Sequence, residues 1–91
     1  MCYKIKDNLS EKSLQDELFI LDRTNSHVHS FNESGKLIWA CLRQNMPLDI
    51  IAAELTKEFD VDVEEARNDI SDFIRMCESR GLLEICNKKQ T

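Results

Sequence analysis

Leu18-Phe19-Ile20-Leu21-Asp22-Arg23-Thr24-Asn25-Ser26-His27-Val28-His29-Ser30-Phe31-Asn32 is the stretch that decides how this chain folds. Two short runs, residues 18–21 and His27–Phe31, flank the polar cluster Arg23-Thr24-Asn25-Ser26, whose residue types favour turns. Runs of this length joined by a turn read as a β-hairpin. After Phe31 the period changes. Asn32 is a good helix N-cap, because its side chain can accept from the first free backbone N–H groups. Leu37, Ile38, Cys41 and Leu42 then recur at helical spacing, which predicts a first helix over residues 33–44.

Downstream, Asn45-Met46-Pro47 breaks the pattern, and proline is tolerated only at or near the next helix start. Leu48, Ile51, Ala52, Leu55 and Phe59 form the apolar stripe of a second helix. Asp60-Val61-Asp62 is the next break, and Asp62 with Glu65 reads as a capping box. Val63, Ala66, Ile70, Phe73, Ile74 and Cys77 lie on one face of a long third helix that Gly81 closes. Leu82, Leu83 and Ile85 are expected to cover the bottom of the core. Upstream, a further strand joins the hairpin, around either Tyr3-Lys4-Ile5 or residues 9–14, and the weak periodicity leaves both open. Strands followed by helices imply an α+β fold. The expected form is winged helix-turn-helix-like, an N-terminal antiparallel three-stranded sheet followed by three α-helices. One domain should cover residues 1–86, with a frayed tail over 87–91.

The composition agrees with one small packed domain. The chain has 91 residues, of which 42% are hydrophobic and only three are Gly or Pro. A deep cofactor cavity is hard to fit in that size, so no cofactor is expected. No nucleophile, base and oxyanion donors converge in the sequence, which argues against an enzyme. Seventeen acidic residues against twelve basic ones give a net charge of −5. Nucleic-acid affinity comes largely from clustered Lys and Arg on phosphates, and the one basic pair is Lys88-Lys89, so no nucleic-acid partner is expected. No apolar run approaches the ~20 residues of a membrane span. The N-terminus has no apolar segment behind its charges, so it does not read as a signal peptide, and a cytoplasmic location is expected. Cys2, Cys41, Cys77 and Cys86 include no C-x-x-C pair, and Cys41 and Cys77 fall on apolar helix faces as small hydrophobes. His27 and His29 share one face of a strand, a spacing two metal ligands could use, but no third ligand accompanies them and no metal is expected.

The elements also carry an ordered pattern. A strand ends in Leu21-Asp22, the next in Phe31-Asn32, and the first helix holds the pair Ile38-Trp39. The second helix reads Asp49-Ile50-Ile51-Ala52-Ala53-Glu54-Leu55, and the third contains Asp69 and Phe73 before Gly81-Leu82-Leu83. This order over residues 17–84 resembles the PqqD-like family, the RiPP recognition elements. Phe31 stands where Leu is commoner, and the segment before Glu17 matches poorly. The resemblance implies a non-catalytic domain that binds the leader segment of a ribosomally made precursor peptide. It implies that the domain presents the leader to a modifying enzyme, often a radical SAM protein. In the family the leader adds as a strand to the edge of the third strand and packs against the third helix, which is β-augmentation.

That places the expected peptide edge at His27, Val28, His29, Ser30 and Phe31. Ile70 and Ile74 are expected to floor an apolar pocket, with Arg67 at its rim to pair with a leader carboxylate. Trp39, beside Ile38, reads as core. Asp69 and Asp72 read as a solvated helix face. The alternative function is a winged-helix DNA-binding or transcription-regulatory protein, which would share the fold.

Overall fold

Along Glu17–Asp22 the side chains of Leu18, Ile20 and Asp22 are buried, while Glu17 and Leu21 are exposed and Phe19 is half-buried. A period of two with one buried face marks a strand that covers a core on one side only. The computed structural model describes residues 2–86. Their elements are β1 (Cys2–Ile5), β2 (Leu9–Leu14), β3 (Glu17–Asp22), β4 (His27–Phe31), α1 (Glu33–Arg43), α2 (Leu48–Glu58), α3 (Val63–Ser79) and β5 (Leu83–Cys86). β2, β3 and β4 form an antiparallel meander, in register from Leu9↔Asp22 to Leu14↔Glu17 and from Leu18↔Phe31 to Asp22↔His27. The helices cover its inner face, so the fold is α+β as expected.

Both segments that competed for the first strand are strands. Residues 9–14 complete the meander, while β1 pairs antiparallel with β5 in a separate two-stranded sheet. That second sheet was not anticipated. β5 opens on Leu83, the second of the fully buried pair Leu82-Leu83, and two adjacent apolar residues hide the alternation a four-residue strand would otherwise show. With the meander ahead of the helices and the second sheet joining the two ends of the described chain, the likeness to a winged helix is loose.

Local chemistry fixes each helix boundary. Asn32 Oδ1 accepts the Gly35 N–H at 3.0 Å to start α1, and Asp62 Oδ1 accepts the Glu65 N–H at 2.8 Å to start α3. Pro47 occupies the N-cap of α2 with φ −65°. At the end of α3, Gly81 takes φ +76°, its N–H donates to Glu78 O, and the Leu82 N–H donates to Cys77 O at 2.9 Å. This is a Schellman ending. α1 ends the same way: Asn45 takes φ +58° and the Met46 N–H donates to Cys41 O at 3.1 Å. Asn does at this position what Gly does at the other, because its short polar side chain tolerates the left-handed region.

Trp39, Leu42, Ile51, Ile70 and Leu82 are among the fully buried side chains at the centre. Val63, counted in the stripe of α3, is half exposed at the helix start. Cys41 and Cys77 are free and buried, and burial pushes the Cys77 thiol up to about 12 and raises that of Cys41. Both act as small apolar side chains. The expected frayed tail, residues 87–91 with Lys88-Lys89, lies outside the described residues. No helix among the described residues is long and apolar enough to cross a membrane.

Candidate functional site

β4 has β3 on one side and no strand on the other among the described residues. Which of its backbone groups are free follows from the register. The Arg23 N–H donates to Asn8 O at 3.0 Å, so Arg23 faces β2, and by alternation Leu21, Phe19 and Glu17 do too. Leu18, Ile20 and Asp22 therefore point their N–H and C=O groups toward β4, where their partners are Phe31, His29 and His27. The groups of Val28 and Ser30 point away from the sheet. These two residues present the unpaired edge.

Beside this edge, between β4, the start of α1 and α3, lies an open groove of about 440 Å³. Phe31, Ile38, Phe73 and Met76 supply its apolar lining; Ser30, Asn32 and Ser34 its polar mouth; Asp69 and Asp72 its lip on α3. The Phe31 ring stacks near Trp39, with centroids 6.3 Å apart, and meets Phe73 edge to face at 5.0 Å. Gly35 lets α1 approach this pair: a Cβ there would lie 2.9 Å from Phe31 Cβ and 3.1 Å from Phe73 Cε1. The strand end, the helix start and the middle of α3 are thus locked at one point.

The other end of β4 is held by Asp22, which is nearly fully buried. Its Oδ1 accepts from Asn8 Nδ2 at 2.8 Å and from the Thr24 N–H at 3.0 Å, and its Oδ2 accepts from Asn25 Nδ2 at 2.9 Å. The hydrogen bond from the Asn25 side chain is the largest of the effects that hold the carboxyl below its usual range. This network shapes the turn that sends the chain back as β4. His29 lies opposite Ile20 on the inner face, and its Nε2 is buried without a hydrogen-bond partner among the described residues. Desolvation first, then the charges of Arg80 and His27, lower its basicity against a smaller opposing pull from Asp22. His27 and His29 do share a face, with ring centroids 6.4 Å apart.

The five residues expected at the edge, His27 to Phe31, all lie on β4. The structure does not bring Arg67, Ile70 and Ile74 to the same place. Ile70 is buried in the core. Ile74 lines a different depression with Tyr3, Leu48 and Ile85. Arg67 turns toward α2, where its Nη2 meets Asp49 Oδ1 at 3.1 Å. The groove instead takes Asp69, Asp72, Phe73 and Met76, a stripe at i, i+3, i+4 and i+7 that adjoins the core stripe. That spacing was visible in the sequence, but two acids in it read as solvent-facing and hid it.

A model of the family described as coenzyme PQQ synthesis protein D (PqqD) matches residues 17–83, most of the chain. The chain belongs to the PqqD family. Among solved structures, this PqqD-family chain is similar to TbiB1 in complex with the TbiA(beta) leader peptide. The two share 25% identity and a TM-score of 0.83, covering 93% of this chain and 99% of that one. A second similar structure is lasso peptide synthetase B1 complexed with the leader peptide, at 19% identity and a TM-score of 0.84, covering 91% and 98%. At that identity the second likeness shows the fold. No curated protein matches the chain significantly.

Proposed function

We propose that this PqqD-family chain binds the leader segment of a ribosomally made precursor peptide and presents it to the enzyme that modifies the peptide. The observation that carries this reading is the outward-facing edge at Val28 and Ser30 beside the groove. It occurs in a fold that TbiB1, a leader-peptide complex, shares over nearly its whole length. An added strand would exchange up to four hydrogen bonds with those two residues, together roughly 2–6 kcal/mol at the usual net value for each. Ordering a flexible segment costs about 2–5 kcal/mol or more. Main-chain pairing therefore roughly offsets its own ordering cost, and net affinity has to come from side chains entering the groove.

The chain acts in this reading by binding and not by catalysis, consistent with a groove of apolar rings, hydroxyls and two carboxylates. The modifying enzyme, for which the family resemblance suggests a radical SAM protein among others, supplies the chemistry. A cytoplasmic location suits a partner that is made on ribosomes. The DNA-binding alternative gains nothing from the comparisons. It also meets a physical obstacle, since α3 holds five acidic side chains against two arginines and would face phosphate repulsion.

Selection of binders from a displayed library of 20-residue peptides, followed by amide hydrogen exchange on the complex, tests the reading. Slowed exchange at Val28 and Ser30 is the expected result. Binders that leave both amides unprotected would refute strand addition at this edge.

A further inference from the structure

The groove has one feature that strand addition alone does not use, its carboxylate lip. A peptide added to β4 sends every second side chain to the helix side of the sheet. There it meets the stripe Asp69, Asp72, Phe73 and Met76 near Phe31. Neither carboxylate is held by a close ion pair among the described residues. Asp69 has no ion pair among the described residues, and Asp72 reaches Arg75 only at 4.0 Å, with both side chains more than three-quarters exposed. Of the two arginines on α3, Arg67 points away to Asp49 on α2, and Arg75, besides its long contact with Asp72, borders the depression with Glu78.

We propose that this groove selects leaders by a basic residue, with the methylene stem of a Lys or Arg lying over Phe31, Phe73 and Met76 and its charged head between Asp69 and Asp72. The inference rests on the leader-binding reading above and names the leader chemistry that site takes. Long basic side chains suit the lining because they cover apolar surface with their stems while keeping the head in water. The charge also fixes register. A strand on a free edge can slip by two residues without changing which face its side chains occupy. A cation held between Asp69 and Asp72, beside Phe31 and Phe73, has one favoured position. The net charge of −5 draws basic peptides toward the whole surface as well.

The test runs the 20-residue displayed library against three proteins: wild type, Asp69→Asn with Asp72→Asn, and Asp69→Lys with Asp72→Lys. Both positions are exposed, so unchanged melting is expected, and the near-isosteric Asn pair serves if the Lys pair fails to fold. Wild type should enrich peptides with Lys or Arg at one fixed position, and the Lys pair should enrich Asp or Glu there. The affinity of a wild-type-selected peptide should fall by about tenfold on the Lys pair and less on the Asn pair. Peptides that bind all three proteins alike, with no fixed basic position, overturn the inference and leave leader binding standing. Failure of all three proteins to enrich any peptide overturns both.

Discussion

The Phe31 and Phe73 rings meet edge to face, 5.0 Å apart with planes at 63°, and Gly35 lies against both. This contact ties the free strand to α3 and sets the width of the groove. Gly35→Ala therefore tests it. Ala is the better helix former by about 1 kcal/mol. Its Cβ, however, would sit 2.9 Å from Phe31 Cβ, an atom held to the backbone of β4 that cannot swing aside. Overpacking of this kind costs ~1–3 kcal/mol. A net loss of about 1 kcal/mol is expected, read as a fall in melting temperature of several degrees. An unchanged or raised melting temperature would show that strand and helix can part without cost.

Asp22 should mark the acid limit of the fold. Its carboxyl is held below the usual 3.8, chiefly by the Asn25 side chain, so the ionised form is favoured more in the folded state than in the unfolded one. The stabilisation is complete above the unfolded value and lost as pH falls through the folded one. Wild-type melting temperature should drop as pH falls below about 4. Asp22→Asn should melt lower at neutral pH and show a shallower acid drop. Parallel profiles for the two proteins would place the acid sensitivity elsewhere.

His29 should give a second, separate step at higher pH. Desolvation, with Arg80 and His27 nearby, lowers its value below the usual 6.5 against a smaller opposing effect of Asp22, so the fold holds the neutral ring. Its contribution is present above the unfolded value and disappears as pH falls through the folded value. Thermal melts at intervals from pH 7.5 to 4.5 should thus show a decline beginning near or below 6.5 in wild type. His29→Gln should remove that decline and keep the lower one owed to Asp22. A His29→Gln profile that still falls between pH 6.5 and 5 contradicts a ring held neutral by the fold.

How much of this was legible depends on whether a signal was local. Caps are local, so Asn32, Asp62 and Gly81 could be read directly, and the apolar stripe of α2 followed from its spacing alone. Leu21-Asp22 and Phe31-Asn32 stood out as a family pattern before their work was apparent. Asp22 organises the turn, and Asn32 caps α1 beside the groove. Pairing between distant segments leaves no local trace. Nothing in Tyr3-Lys4-Ile5 announces Leu83-Glu84-Ile85 as its partner, so the second sheet had to await the fold. Rotation of a helix about its axis is equally non-local. The stripe of α3 was found, but whether Arg67 or Asp69 flanks the groove depends on where α2 packs, and α2 claims Arg67 through Asp49.

Proline scanning along β4 tests the geometry on which strand addition depends, and the register now says which positions should respond. The amides of His27 and His29 face β3, and those of Val28 and Ser30 face outward. Proline has no donor and fixes φ, so it is tolerated on an edge strand only where the amide points to solvent. His29→Pro removes the bond to Ile20 and strands a carbonyl in the fully buried part of the sheet, a loss of about 1–3 kcal/mol. It should lower the melting temperature with or without peptide. Val28→Pro and Ser30→Pro should melt close to wild type, yet each should weaken a library-selected peptide by ~1–2 kcal/mol, since each deletes one donor to the incoming strand. Val28→Ala and Ser30→Ala keep that donor and should lose less. Melting and peptide titration would then respond at alternate residues along a five-residue strand. A uniform response in both measurements, or peptide affinity indifferent to proline at Val28 and Ser30, means that the peptide does not pair with this edge.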